Sequence, residues 1–314
     1  MLYDAVVVGG GPAGLAAGLW LARYRRRTLL VDAGEHRNRW VEQSHGYFTR
    51  DPASPLQLLA EGCAQLAAYP FAERIGGSVT AAARVDDRFV VTVDGAEHEA
   101  LRLVLATGVE DAFPQVEGFF DHYGASVFHC PSCDGYEARG RNVVVLGWSE
   151  HVAAFTVTLL DWAASVTLVT DGRRFPGDES QRETLASYGV RVFEDPAERF
   201  VGSRGSLTGV TLQGGEELPC EMAFFSVAHK PRNGLARMLG AETTPEGCVV
   251  VDDDQQTSVP GLYACGDLTP GMQLIQVAAA KGAVAGINAA QSLRGERGAP
   301  LSPEPAPDPE VVAP

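Results

Sequence analysis

The sequence lacks the features that mark a membrane-spanning, exported or nucleic-acid-binding protein. No uninterrupted apolar run reaches the roughly 20 residues that a transmembrane helix needs. The chain enters an apolar strand at residues 4–8, without the basic region and small-residue cleavage site of a signal peptide. A formal net charge of −15 argues against nucleic acid and anionic membranes as partners. We therefore expect a cytoplasmic protein with no membrane partner and no nucleic-acid partner.

Closely spaced cysteines are also scarce, because only Cys130 and Cys133 of the six cysteines lie near one another. A secreted disulfide framework would show several regularly spaced cysteines. A four-ligand zinc site would need a second close pair, and the adjacent His129 is poorly spaced as a ligand. We therefore expect no metal site.

The Cys130/Cys133 pair remains open to three interpretations: a metal site, a structural disulfide or a redox dithiol. Because so short a loop stabilises a fold little, the redox interpretation is favoured. A cysteine at a turn or helix start can have its pKa lowered from about 8.5, which gives a thiolate at neutral pH. Asp134 could then deliver or remove the proton that thiol–disulfide exchange requires. The predicted catalytic residues are Cys130, Cys133 and Asp134.

A glycine-rich turn between a strand and a helix predicts a first dinucleotide site. Gly9 permits the tight turn, Gly11 lets a pyrophosphate approach the backbone, and Gly14 lets helix and strand pack closely. The following strand ends at Asp32, whose carboxylate can accept hydrogen bonds from ribose hydroxyls. The predicted cofactor residues of this unit are Gly9, Gly11, Pro12, Ala13, Gly14, Asp32 and Ala33.

A second strand–turn–helix unit opens at Gly147, which predicts an α/β fold with two Rossmann-like domains. We expect an FAD-binding domain at residues 1–111 and 243–295, and an NAD(P)-binding-like domain at 112–242 that carries the dithiol. The stretch 202–215 is predicted to be rich in turns, and a long helix is expected over 273–293. A proline-rich tail at 296–314 is expected to lack regular structure.

Two later stretches resemble the shared signatures of flavoproteins that have two dinucleotide-binding domains. They are Ala106-Thr107-Gly108 and the run from Val259 to Asp267. The resemblance implies FAD, with Asp267 on the flavin ribitol, although Asp267 could also be a helix N-cap. The further cofactor residues that it implies are Thr107, Gly108, Gly266, Asp267, Gln273 and Leu274.

The run Cys-Pro-Ser-Cys-Asp-Gly at 130–135, placed between these units, resembles the low-molecular-weight thioredoxin reductases over nearly the whole chain. The resemblance implies a homodimeric enzyme in which Cys133 faces the flavin and Cys130 attacks the substrate. It also implies that Asp134 is the acid–base residue, and that the second domain rotates so that the dithiol alternates between flavin and partner.

The second nucleotide motif departs from that family. Ser149 stands where the pyrophosphate glycine is expected, Trp148 is bulky, and Val152 replaces a small packing residue. Asp171 would repel the 2′-phosphate of NADPH, and the basic residues Arg173 and Arg174 are displaced. A working NADPH site is therefore not expected, while NADH use through Asp171 stays open.

Two branches of the family lack a competent nucleotide site: reductases supplied by ferredoxin, and dithiol oxidases that pass electrons to O2. Asp134 matches the reductases, whereas the loop from Arg37 to Tyr47 looks more like the oxidases. Within that loop His45 is a candidate cofactor residue or a loop histidine satisfied by backbone. The leading hypothesis is a reductase acting on a thioredoxin-like protein or a small disulfide. The alternatives are a dithiol oxidase and a non-catalytic redox-sensing flavoprotein.

Overall fold

The computed structural model describes residues 1–295 and shows a mixed α/β protein built around two large sheets, the first with both parallel and antiparallel pairs and the second parallel throughout. The strands are β1 (Leu2–Val8), β2 (Thr28–Asp32), β3 (Ala72–Gly76), β4 (Val79–Val85), β5 (Arg88–Val93), β6 (Ala96–Leu105), β7 (Val109–Ala112), β8 (Val127–Phe128), β9 (Asn142–Gly147), β10 (Ser165–Val169), β11 (Arg191–Phe193), β12 (Ala197–Ser203), β13 (Ser206–Leu212), β14 (Glu217–Pro219), β15 (Met222–Ser226), β16 (Ala228–Pro231) and β17 (Leu262–Ala264).

Helices alternate with strands from β1 to β3 and from β9 to β11, as parallel pairing of neighbouring strands requires. They are α1 (Pro12–Arg23), α2 (Pro55–Ala67), α3 (Phe119–His122), α4 (Pro131–Asp134), α5 (Val152–Thr158), α6 (Glu179–Ser187), α7 (Gly234–Met238) and α8 (Ile275–Ser292). The predicted tail at 296–314 lies outside the described residues. Within residues 1–295 no helix is long and apolar enough to cross a membrane.

The first sheet has the strand order β3-β2-β1-β6-β5-β4, with β17 paired to β6. The carboxyl-terminal halves of its central strands β1 and β6 are apolar and buried, because both faces are covered there. Successive residues of β1 face opposite sides, so that Val6 packs in one core cluster and Val7 in the other. The pairing of β17 with β6 shows that the chain returns to this sheet after building the second one.

Helix α8 packs closely on α1, and both helices share one core cluster with one face of the first sheet. A Cβ at Gly282 would overlap the backbone of Ala13, and a Cβ at Gly286 would overlap that of Ala17. Glycine at these positions therefore allows the two helices to approach at backbone distance. The predicted helix over 273–293 is confirmed as α8, with its start two residues later.

The second sheet has the order β11-β10-β9-β15-β8 and is parallel throughout. It confirms the predicted second Rossmann-like unit. The stretch 202–215, predicted to be rich in turns, is largely strand: β12, β13 and β14 form a separate antiparallel sheet. Strands β7 and β16, which follow β6 and β15 in the chain, form a separate two-stranded antiparallel pair.

Candidate functional site

A cavity of about 520 Å³ brings together residues that are far apart in sequence. Gly14 is the only member of the predicted site set outside its lining, because Gly14 packs behind the turn. The predicted residues that line the cavity are Gly9, Gly11, Pro12, Ala13, Asp32, Ala33, His45, Thr107, Gly108, Cys130, Cys133, Asp134, Gly266, Asp267, Gln273 and Leu274.

The glycine turn at the start of α1 has the geometry of a phosphate cradle. Gly9 has a φ of +111°, and a Cβ there or at Gly14 would overlap neighbouring backbone. A Cβ at Gly11 would instead point into open space. Within residues 1–295, the backbone amides of Gly10 and Gly11 have no protein acceptor. Free amides at a helix N-terminus beside open space form a site for an anionic phosphate group.

Asp32 is fixed at the end of β2, next to this turn. One carboxylate oxygen accepts the Gly34 N–H at 2.9 Å, and the other pairs with Arg74 at 2.7 Å. Burial alone would raise the pKa of Asp32, but the hydrogen bonds from Arg74 and Gly34 outweigh it and hold the pKa below its usual range. The side chain is therefore a fixed anionic acceptor facing the cavity.

Arg37, which lines the same cavity, joins two largely buried carboxylates. Its guanidinium lies 2.7 Å from Asp111 Oδ1 and 3.1 Å from Asp267 Oδ2, and it donates to Gln273 Oε1 at 2.7 Å. Burial raises the pKa of Asp267, whereas for Asp111 the contacts with Arg37 outweigh burial and lower the pKa. Sequence reasoning missed Asp111 and the role of Arg37, because the contacts join residues from three distant segments.

The dithiol is oxidised and sits at the start of α4. Cys130 and Cys133 form a disulfide bond. Cys130 is the N-cap of α4, and its Sγ accepts the N–H of Cys133 at 3.1 Å. Pro131 occupies the first helical position, where its missing N–H costs nothing. A sulfur at this position receives a backbone N–H and the positive end of the short helix, which stabilise a thiolate.

Two titratable side chains flank the disulfide inside the cavity. Burial raises the pKa of Asp134 to about 7, with a further contribution from the negative charge of Glu137. Burial also lowers the pKa of His129 to about 4, and the positive charge of Arg37 acts in the same direction. Asp134 can therefore gain or lose a proton near neutral pH, whereas His129 is neutral there and lies 3.3 Å from the hydroxyl of Tyr123.

The turn after β9, where a second nucleotide would bind, is arranged differently. The backbone amides of Trp148 and Ser149 both donate to the carbonyl of Ser226, at 3.0 and 3.2 Å. The Ser149 hydroxyl also lies 2.8 Å from that of Ser226. The amides at the positions of Gly10 and Gly11 are thus bonded to protein in the second turn.

The acid predicted to read a ribose hydroxyl is also engaged by protein. Asp171 Oδ1 accepts the Ala197 N–H at 3.0 Å, and Oδ2 pairs with Arg173 at 3.1 Å. The Arg173 guanidinium stacks on Trp148, with 3.7 Å between its central carbon and the ring centroid. Asp171 and Arg173, the two charged side chains that could contact an adenosine ribose, are therefore bound to each other.

His45 lies in the loop before α2, at the edge of the cavity that also holds the dithiol. Its Nδ1 is 3.2 Å from Asp51 Oδ1, and its Nε2 is 3.8 Å from Glu137 Oε1. The structure does not show the alternative in which only backbone groups hydrogen-bond to this histidine. His45 contacts carboxylates on both of its ring nitrogens.

Similarity to known proteins extends over most of the chain. The family described as pyridine nucleotide-disulphide oxidoreductase matches residues 3–282. Thioredoxin reductase tcpT of Claviceps purpurea is 31% identical over 306 residues, which cover 93% of this chain and 94% of the relative. A thioredoxin reductase of Treponema pallidum is 29% identical over 277 residues, which cover 85% of this chain and 89% of the relative. The crystal structure of an oxidoreductase from Agrobacterium tumefaciens matches with a TM-score of 0.84 at 34% identity, covering 94% of this chain and 99% of the other.

Proposed function

The chain belongs to the pyridine nucleotide-disulphide oxidoreductase family, and we propose that it moves an electron pair between FAD and the Cys130/Cys133 dithiol. It is a flavin-dependent oxidoreductase of thioredoxin-reductase type that acts on sulfur groups, and FAD is its cofactor. The observation that carries the proposal is the single cavity lined both by the dinucleotide motifs and by the disulfide. The substrate that we propose is a thioredoxin-like protein or a small-molecule disulfide.

The residues that line the cavity suit the parts of FAD by their chemistry. The amides of Gly10 and Gly11 would hold the pyrophosphate, and Asp32 the adenosine ribose. Asp267, oriented by Arg37, would hold the ribitol next to the dithiol. When bound, FAD supplies or accepts the electron pair at the disulfide.

Within this scheme the chain's own residues handle the sulfur bonds and the protons. Opening the Cys130–Cys133 bond takes up two electrons and two protons, and one S–H bond forms on each sulfur. Asp134 exchanges one of these protons, because its pKa of about 7 lets it act as acid or base at neutral pH. Cys130 then attacks the substrate disulfide, and Cys133 resolves the mixed disulfide and releases the second substrate thiol.

The electron donor in the reductase direction is proposed to be something other than NADPH. The engaged amides of Trp148 and Ser149 support this proposal, as does the pairing of Asp171 with Arg173. A ferredoxin-type donor would need no nucleotide site and is the reductant that we propose.

A dithiol oxidase is the second candidate function, and the same engaged turn favours it. If electrons do not arrive from a nucleotide, they can arrive from a substrate dithiol at Cys130/Cys133. They would then leave the flavin for O2, which yields hydrogen peroxide. The direction of electron flow distinguishes this enzyme from the reductase.

Anaerobic mixing experiments test both candidates, with the flavin absorbance as the readout. We expect NADPH and NADH to leave the purified yellow protein oxidised, and either reduced ferredoxin or a small dithiol to bleach it. Rapid bleaching by NADPH would contradict the proposed donor. Fast bleaching by a dithiol, followed by peroxide formation in air, would identify the oxidase.

A further inference from the structure

His129, the residue before the dithiol, lines the cavity but takes no part in the steps described above. Its imidazole packs against the rings of Tyr123 and Phe225, with 6.3 and 5.8 Å between ring centroids. Tyr123 and Phe225 are both buried in one core cluster that also contains strands of the second sheet. The imidazole is therefore held between this core and the cavity.

The hydrogen bond between His129 and Tyr123 determines which ring nitrogen carries the proton. The Tyr123 hydroxyl lies 3.3 Å from His129 Nδ1, and within residues 1–295 it has no other hydrogen-bond partner. Burial raises the pKa of Tyr123, so the hydroxyl keeps its proton. A buried hydroxyl needs an acceptor for that proton, so Tyr123 donates and Nδ1 accepts. The one N–H of a neutral imidazole is then on Nε2.

The Nε2–H group of His129 faces the cavity. Among the described residues it has no hydrogen-bond partner, and it is not one of the buried polar atoms that lack a partner, so it is accessible. The space that His129 lines is the cavity. Burial lowers the pKa of His129 to about 4, so the ring is neutral over the neutral pH range. His129 is therefore a fixed hydrogen-bond donor there and not an acid.

The residues around His129 are those to which the proposed function assigns FAD. The charges of Arg37 and Asp111 act on the imidazole, so both lie close to it. Arg37 in turn contacts Asp267 at 3.1 Å and Gln273 at 2.7 Å, and both of these line the same cavity. A flavin that has its ribitol at Asp267 and its ring at the disulfide lies beside His129, because His129 directly precedes the dithiol.

We propose that His129, oriented by Tyr123, donates its Nε2–H to the flavin ring and makes the bound FAD easier to reduce. The inference rests on the proposed function, because that function places FAD in this cavity. Hydrogen bonds to the ring heteroatoms are one means by which proteins tune a flavin. Reduction adds two electrons to the ring, so these atoms become stronger acceptors. A donor that is already in place then favours the reduced form and raises the reduction potential.

The reduction potential of the flavin, measured against a reference dye, tests this donor. The parent protein for the measurement is FAD-loaded Cys130→Ser/Cys133→Ser, which has no dithiol to accept electrons, so that the potential is that of the flavin alone. We expect His129→Phe to lower the equilibrium constant for flavin reduction about tenfold, which is a fall of about 30 mV for a two-electron couple. Tyr123→Phe removes the hydroxyl that selects the tautomer and should lower the potential by less.

Two further variants distinguish the N–H group from the ring and from burial. His129→Gln should keep most of the parent potential, because the side-chain amide can still donate from a similar position. His122→Phe is the matched control, because His122 is a second buried histidine, bonded to Ser126 Oγ at 3.0 Å, that does not line the cavity. It should lower the free energy of unfolding and leave the potential unchanged.

The parent potential in both His129→Phe and Tyr123→Phe would overturn the proposal, and so would equal falls in His129→Phe and His129→Gln. If His129→Phe does not fold or bind FAD, Tyr123→Phe decides: a lowered potential supports the donor, and an unchanged one overturns it. The proposed function fails separately, if wild-type holoenzyme is not reduced by dithiothreitol, because the potentials of the parent series do not depend on electron exchange with the dithiol.

Discussion

The guanidinium of Arg173 lies over the indole ring of Trp148, with 3.7 Å between its central carbon and the ring centroid. The same guanidinium pairs with Asp171 at 3.1 Å. In the second Rossmann-like unit, the side chains that could bind a nucleotide are therefore bound to one another instead. Its sheet still positions the dithiol, since β8 leads directly into His129 and Cys130.

Arg173→Ala should destabilise the protein by about 0.5–1 kcal/mol, which is typical of an exposed cation–π contact. Urea unfolding measures this change. Arg174→Ala, the neighbouring exposed arginine, is the matched control and should change the free energy of unfolding by less. Equal effects of the two substitutions would show that the stacking on Trp148 has no specific role.

Gly11→Ala and Gly14→Ala should separate cofactor binding from folding. Because a Cβ at Gly11 meets open space, the Gly11→Ala protein should fold normally and lose flavin. A Cβ at Gly14 overlaps the carbonyl of Gly9, so Gly14→Ala should lower stability by about 1–3 kcal/mol, as overpacking does. Thermal unfolding and the flavin-to-protein ratio measure the two effects. A Gly11→Ala protein with full flavin content would argue against the phosphate cradle.

Arg37→Met should be strongly destabilising, by about 3–5 kcal/mol, because it leaves Asp111 and Asp267 as buried carboxylates without their cation. Adding Asp111→Asn to Arg37→Met should recover much of that loss, since it removes one of the unpaired charges. Chemical unfolding of the two variants and the wild type gives the comparison. A double variant no more stable than Arg37→Met would contradict the assignment of the loss to these charges.

Asp134→Asn should change how stability depends on pH. Burial holds the folded-state pKa of Asp134 at about 7, above its usual 3.8, so the fold favours the protonated form. This contribution to stability is fully present below about pH 4 and is lost as the pH rises through 7. Asparagine carries no charge, so the variant should gain about 2–4 kcal/mol relative to wild type between pH 4 and pH 8. A difference that does not change with pH would contradict the buried-acid assignment.

Local sequence patterns predicted the parallel strands well, because their apolar runs and glycine turns reflect contacts made within one βαβ unit. The strand predicted to end at Asp32 is β2, and the predicted second unit forms the fully parallel second sheet. The antiparallel pair of β12 and β13 was not predicted, because the glycine and serine residues in these strands indicated turns.

The predicted site residues came together because each belonged to a motif with its own local signal. Arg37 had no such signal: it is 74 positions from Asp111 and 230 from Asp267, so only the folded chain shows the contact. The contact between His45 and Glu137 likewise joins two distant segments. Contacts between distant single residues cannot be read from spacing.

The most direct test of the central claim is anaerobic reduction of the FAD-loaded protein by dithiothreitol, followed by flavin absorbance in wild type and Cys133→Ser. The account predicts that wild type is bleached and that Cys133→Ser, with equal flavin content, is not, because the electron pair must pass through the Cys130–Cys133 bond. Equally fast bleaching of both proteins would contradict it.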